Sequence, residues 1–143
     1  FLAFAGETDA TRPKAWGAAW DDAPKVVTCV GNTIGIIPPD LKKKIYQQMA
    51  DVAGTRGIAI MVYWNGNKFG DATQHFYFKN PQLCGKFTGE CIDLATCTLT
   101  TPSGYRTHWT TPEEAREVMA GYGMRVVDLK ENGNGVLVAF RKR

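Results

Sequence analysis

The feature that most constrains this chain is the run Val26-Val27-Thr28-Cys29-Val30, which leads directly into Gly31-Asn32-Thr33-Ile34-Gly35. β-Branched and apolar residues without polar alternation predict a strand buried on both faces of a parallel sheet. Glycines on either side of Asn32 and Thr33 predict a turn whose backbone a ligand can approach closely. In an open α/β sheet that place, just past the carboxyl end of a strand, is where ligands bind. After Pro38-Pro39, the residues Leu41, Ile45, Met49 and Val52 recur at helical spacing, and Gly54 closes the helix. Ile58 to Trp64 is a second continuous apolar run. Strand, helix and strand form a right-handed βαβ unit, so the two strands should lie parallel and adjacent, with Asn32 and Asn65 on one edge.

The remaining elements are placed around that unit. Phe1 to Ala5 reads as a short strand ending in a polar turn, which puts Asp9 at a strand's carboxyl end. Residues 68–107 are less regular and read as an excursion with one or two strands, in which Phe76 and Phe78 either line a pocket or simply pack. Thr111-Pro112-Glu113-Glu114 has the form of a capping box with proline at the first helical position. Ala115, Val118, Met119 and Tyr122 give that helix its buried stripe, and Gly121 and Gly123 end it. Met124 to Leu129 and Gly135 to Phe140 read as a terminal hairpin around Glu131-Asn132-Gly133-Asn134, which makes the last strand antiparallel to its neighbour. No repeat or linker interrupts the chain, so the expected organisation is a single α/β domain over residues 1–143.

Composition excludes several classes of function. The chain has 143 residues, of which 44% are hydrophobic and 22% charged, with a formal charge of +3. Those values are ordinary for a globular protein. The basic runs Lys42-Lys43-Lys44 and Arg141-Lys142-Arg143 carry no interleaved aromatics, which argues for a solvated helix face and a terminus rather than a nucleic-acid surface. No stretch approaches the roughly 20 consecutive apolar residues of a membrane helix, and a soluble protein is expected. The opening Phe1-Leu2-Ala3-Phe4-Ala5-Gly6 is too short for a secretory signal and is read as part of the fold. A start without Met suggests a processed, trimmed or partial chain. Cys29, Cys84, Cys91 and Cys97 form no C-x-x-C pair, and with His75 and His108 they lack metal-ligand spacing. Reduced, buried thiols in a cytoplasmic protein are expected, and no metal.

Asp9-Ala10, the segment Val27 to Thr33 with its following helix, and the ending from Gly104-Tyr105 through Thr111-Pro112-Glu113-Glu114 to Val136-Leu137-Val138-Ala139 together carry a resemblance. The chain resembles the second half of the class I S-adenosylmethionine-dependent methyltransferases. The Gly-Asn-Thr turn and Asn65 look closest to the N-methyltransferases acting on glycine and similar small amino compounds. The likeness implies a Rossmann-like, mostly parallel sheet with an antiparallel C-terminal hairpin, beginning at the family's third strand. It also implies S-adenosylmethionine as methyl donor and a small-molecule acceptor, an amine in the nearest subgroup. Asp9 and Ala10 match the contact to the donor's adenine, and Val30, Gly31 and Asn32 match the strand end facing its methionine portion. Asn32 and Asn65 would orient the acceptor, while Tyr63, Trp64, Phe76 and Tyr77 would wall the pocket. His75 or His108 would serve as base for a hydroxyl or thiol acceptor. The family's glycine-rich loop and its ribose-binding acidic residue are absent from the sequence. The likeness therefore implies that a missing N-terminal segment or a partner chain, another copy included, completes the sheet. The alternative is a non-catalytic methyltransferase-like scaffold or binding module in a larger assembly.

Overall fold

The computed structural model describes residues 23–143. The predicted βαβ unit is present. Strand β1 (Val26–Cys29) is followed by a helical turn α1 (Thr33–Ile36), then helix α2 (Pro39–Ala53) and strand β2 (Ile58–Trp64). β1 and β2 pair in parallel, with Cys29 opposite Met61. Pro39 opens α2 where a missing backbone N–H costs nothing, and Gly54 at φ 59° ends it in a conformation that side-chain-bearing residues avoid.

The chain closes as predicted, with helix α5 (Pro112–Ala120) and the hairpin strands β6 (Met124–Asn132) and β7 (Gly135–Lys142). The hairpin is longer than the apolar pattern suggested. Asn132 pairs with Gly135, so only Gly133 and Asn134 form the turn, and Gly133 takes φ 56°. The polar extension of β6 (Lys130, Glu131 and Asn132) lies at the turn, and that of β7 (Arg141 and Lys142) lies at the hairpin's open end. The order is β1-β2-β7-β6, with β7 antiparallel to both neighbours. β1, β2 and β6 therefore run the same way and β7 alone runs against them.

Register explains the core. Ala59, Met61 and Tyr63 on β2 stand opposite Phe140, Val138 and Val136 on β7, and all six are buried. Alternation puts them on one face, where α2 contributes Ile45, Met49 and Ala50 and α5 contributes Ala115 and Met119. Tyr46 on α2 meets Tyr122 in the turn just after α5, with ring centroids 6.0 Å apart. One expectation changes. β1 is not buried on both faces: Val26 is 68% exposed, because β1 pairs only with β2 among the described residues.

Between β2 and α5 the excursion forms its own small unit. A 3₁₀ turn (Gly66–Lys68), a helical turn α3 (Phe69–Ala72), a π-helical stretch (Thr73–Tyr77) and another helical turn α4 (Pro81–Cys84) come first. The short strands β3 (Ile92–Asp93), β4 (Thr98–Thr100) and β5 (Arg106–His108) follow as an antiparallel sheet, one strand more than the sequence suggested. Phe69, Tyr77, Leu99 and Trp109 anchor a second apolar cluster beneath them. No helix among the described residues is long and apolar enough to cross a membrane.

Candidate functional site

The rim at the carboxyl ends of β1 and β2 is where the sequence pointed, and its geometry turns on Asn32. Gly31 and Asn32 both take left-handed conformations, at φ 68° and 56°. Asparagine tolerates this better than most residues because its short amide can bond locally. The Asn32 backbone N–H donates to the Val62 carbonyl at 3.2 Å, and its Oδ1 accepts the Trp64 N–H at 3.1 Å. Its Nδ2 donates to Thr107 Oγ1 at 3.3 Å, so one buried side chain ties β1, β2 and β5 together. Gly35 lets this happen: a Cβ there would collide with the Asn32 amide and the His108 carbonyl.

Asn65 reaches the same rim and is fully buried. Its Oδ1 accepts the Asn67 N–H at 3.0 Å, which caps the 3₁₀ turn, and its Nδ2 donates to Glu131 Oε2 at 2.7 Å. Its own backbone N–H bonds the Asn134 carbonyl at 2.7 Å, which fastens the rim to the hairpin turn. Both asparagine amides are therefore engaged within the protein, and the surface offered to a ligand comes from their neighbours. Val30 is 52% exposed and Trp64 42% exposed. Trp64 stacks on buried Trp109, with centroids 5.7 Å apart. Beside Gly31 there is open space within 4 Å of where a Cβ would stand.

Two of the expected pocket walls do not form. Tyr63 points into the main core and Tyr77 into the second cluster, both essentially without exposure, because alternation on β2 and the π-helical turn aim them inward. Trp64 and Phe76 are the exposed aromatics of that set. Trp109 Nε1 donates to the Tyr77 hydroxyl at 3.0 Å, which accounts for that buried phenol. His75 stands exposed on the π-helical stretch, with no hydrogen bond to either asparagine among the described residues. Asp9 and Ala10 lie outside the described residues. His108 faces a separate groove: its Nδ1 accepts from Lys42 Nζ at 3.0 Å, and its Nε2 lies 3.2 Å from Glu114 Oε2. Glu114 thus bonds histidine rather than completing the capping box, of which only the Thr111 half forms, with Oγ1 accepting the Glu114 N–H at 3.1 Å.

The cysteines are unpaired thiols, Cys29 and Cys84 buried and the other two partly so. Burial pushes the Cys29 thiol above its ordinary range. Among the described residues no three His, Cys, Asp or Glu side chains converge as metal ligands.

No protein-family model matches the chain, and no curated protein matches it in sequence. Solved structures do match its course in space. The CcbJ methyltransferase from Streptomyces caelestis is 12% identical over 82% of this chain and 60% of its own length, with a TM-score of 0.53. The 1,6-didemethyltoxoflavin-N1-methyltransferase of Burkholderia thailandensis, solved with 1,6-didemethyltoxoflavin and S-adenosylhomocysteine bound, is 10% identical over 80% of this chain and 43% of its own, at 0.52. The magnesium protoporphyrin IX methyltransferase of Synechocystis PCC 6803, with bound S-adenosylhomocysteine, is 10% identical over 82% and 44%, also at 0.52. This is a Rossmann-like methyltransferase fold. The chain spans 60% or less of the length of these three neighbours. In the methyltransferase fold the sheet carries one antiparallel strand near its end, and here that strand is β7.

Residues that hold the rim but escaped the sequence reading are Thr107, Trp109 and Glu131. The alternation Arg106-Thr107-His108 was a signal for a strand with Thr107 inward. Nothing local marks Glu131, which meets Asn65 only through hairpin register.

Proposed function

We propose that the chain forms the C-terminal part of an S-adenosylmethionine-dependent methyltransferase acting on a small molecule, an amine of the glycine-like kind. The observation that carries this reading is the rim itself: two left-handed residues at a strand's carboxyl edge, locked to the next strand, with free space beside Gly31 and an exposed Trp64. That arrangement suits one wall of a donor cleft in a fold whose neighbours include proteins solved with S-adenosylhomocysteine. When bound, the donor supplies an electrophilic methyl group on a sulfonium.

The chain's residues have separate parts. Val30, Gly31 and Asn32 form the wall beside the donor, and Asp9 with Ala10 contacts its adenine. Asn32 and Asn65 fix the rim's shape from within, so that an acceptor is presented along one line; a neutral amine needs positioning more than proton transfer. The exposed Trp64 face favours a cation, an attraction of roughly 0.5–2 kcal/mol. His75 serves as base for a hydroxyl or thiol acceptor. A preceding segment or a second chain, another copy included, completes the sheet beyond β1. Unpaired thiols at all four cysteines support a cytoplasmic setting. Neither nucleic acid nor a membrane has a part in this reading.

A second reading, a non-catalytic binding module, draws support from the internal engagement of both asparagine amides. Titration with S-adenosylhomocysteine followed by calorimetry separates the two, using the 143-residue chain alone and then with a candidate N-terminal segment added. Heat on the second titration, abolished by Gly31→Val, is expected for the enzyme. Absence of binding in both preparations would leave the module.

A further inference from the structure

A groove of about 1180 Å3 lies between helices α2 and α5 on one side and the small sheet on the other. It is distinct from the rim. Thr107 points from β5 toward Asn32, whereas Arg106 and His108, one residue to either side, line the groove. Register sets Thr100 opposite Arg106 and Thr98 opposite His108, so both threonines share that face. The groove's chemistry is unbalanced at one point. Nη1 of Arg106 is buried and has no hydrogen-bond partner among the described residues. A buried guanidinium nitrogen left unpaired is costly, and native proteins rarely keep one without a purpose. Lys42 projects into the same groove from α2 and feels Arg106 as a like charge; burial, chiefly, and Arg106 lower its proton affinity, while Glu114 raises it.

We propose that this groove binds the acid group of a small ligand, a carboxylate or a phosphate, between Arg106 and Lys42. An oxyanion there gives the orphaned Nη1 its acceptor and relieves the repulsion between two facing cations. The planar fork of arginine suits both acids. Thr100, on the Arg106 row, is placed to add a hydroxyl contact. Glu90, Asp93, Glu114 and Glu117 also line the groove, so it favours a ligand with a single acidic head over a polyanion. Glu114 is held on His108, and Asp93 lies on the His108 row through its pairing with Thr98. The site does not depend on the methyltransferase reading, because it opens on the opposite side of β5 from the rim.

The test is a nuclear magnetic resonance titration of the 143-residue chain with inorganic phosphate and, separately, acetate, against sodium chloride at matched ionic strength. Saturable shifts at the Arg106 side-chain N–H and the amides of Lys42 and Thr100 are expected with one of the two acids, and which one identifies the acid group. Arg106→Gln and Lys42→Gln should each weaken that binding about tenfold, while Arg116→Gln on the exposed side of α5 leaves it unchanged. Should Arg106→Gln fail to fold, Lys42→Gln and the wild-type titration still decide. Shifts no larger than those with chloride, or equal affinity in Lys42→Gln, would overturn the proposal. Rim resonances such as Gly31 should stay still in this titration, so its outcome and that of the S-adenosylhomocysteine calorimetry are independent and the two proposals fail separately.

Discussion

Asn32 spends its whole side chain on the protein. With Oδ1 on the Trp64 N–H and Nδ2 on Thr107, it fixes the spacing of three strands from a left-handed backbone position. Replacement separates the two contributions. Asn32→Gly keeps the backbone conformation and loses the amide, whereas Asn32→Ala loses both and should cost about 2–4 kcal/mol. Urea denaturation should rank stability as wild type, then Gly, then Ala; Ala equal to Gly would show that backbone strain is not part of the design. Tyr63 poses the opposite case. Its hydroxyl is buried with no partner among the described residues, and burial raises its pKa well above the ordinary phenol value. Tyr63→Phe should leave stability unchanged or raise it by up to about 1 kcal/mol in thermal melts, since an unsatisfied polar atom is removed without leaving a cavity. A clear loss would reveal a partner for that hydroxyl.

Elements are brought together at a few contacts where no extra atom fits. α1 packs on β5 at Gly35, and the backbone there leaves no room for a methyl group. Gly35→Ala should cost about 3 kcal/mol or abolish folding, and heteronuclear spectra should show the disturbance spreading to Thr107 and Trp64. If the variant melts like wild type, the α1–β5 contact is looser than described. The helices and long strands were legible because their apolar periodicity is strong: α2 and α5 sit where Leu41-Ile45-Met49 and Ala115-Met119 placed them. The excursion was not. Its segments are short, and Tyr77 is held in a π-helical turn by a second core that includes Trp109, far along the chain. Glu114 shows the same limit. The capping motif located the helix, while tertiary contact with His108 took its carboxylate elsewhere.

For the whole molecule the titration balance is directional. Burial raises the Cys29, Cys84 and Cys97 thiols from 9.0, and the Tyr46, Tyr63 and Tyr105 hydroxyls from 10.0. Acids whose folded pKa is raised contribute stability that is fully present below the unfolded value and lost as pH rises past it. Lys42, lowered from 10.5 mainly by burial, acts oppositely, because folding disfavours its charged form and stability rises with pH toward the ordinary lysine value. Among the described residues, one lysine against six acids leaves a net decline. Urea midpoints measured from pH 7 to 11 should hold level to about pH 9 and then fall, with a shallower fall in Tyr63→Phe; a flat profile to pH 11 would show these groups to be solvated.

By itself the sequence determined the alternation of strand and helix, the terminal hairpin and the shared edge for Asn32 and Asn65, because each rests on local periodicity, turn chemistry and the fixed hand of a βαβ unit. Tertiary structure decided which atoms those asparagines bond, which aromatic remains exposed, and the separation of His108 and Arg106 from the rim by a single strand. These depend on register and on contacts between distant segments. Residues far apart in the chain exchange hydrogen bonds only after folding has closed the distance, and nothing in their local sequence marks the partner.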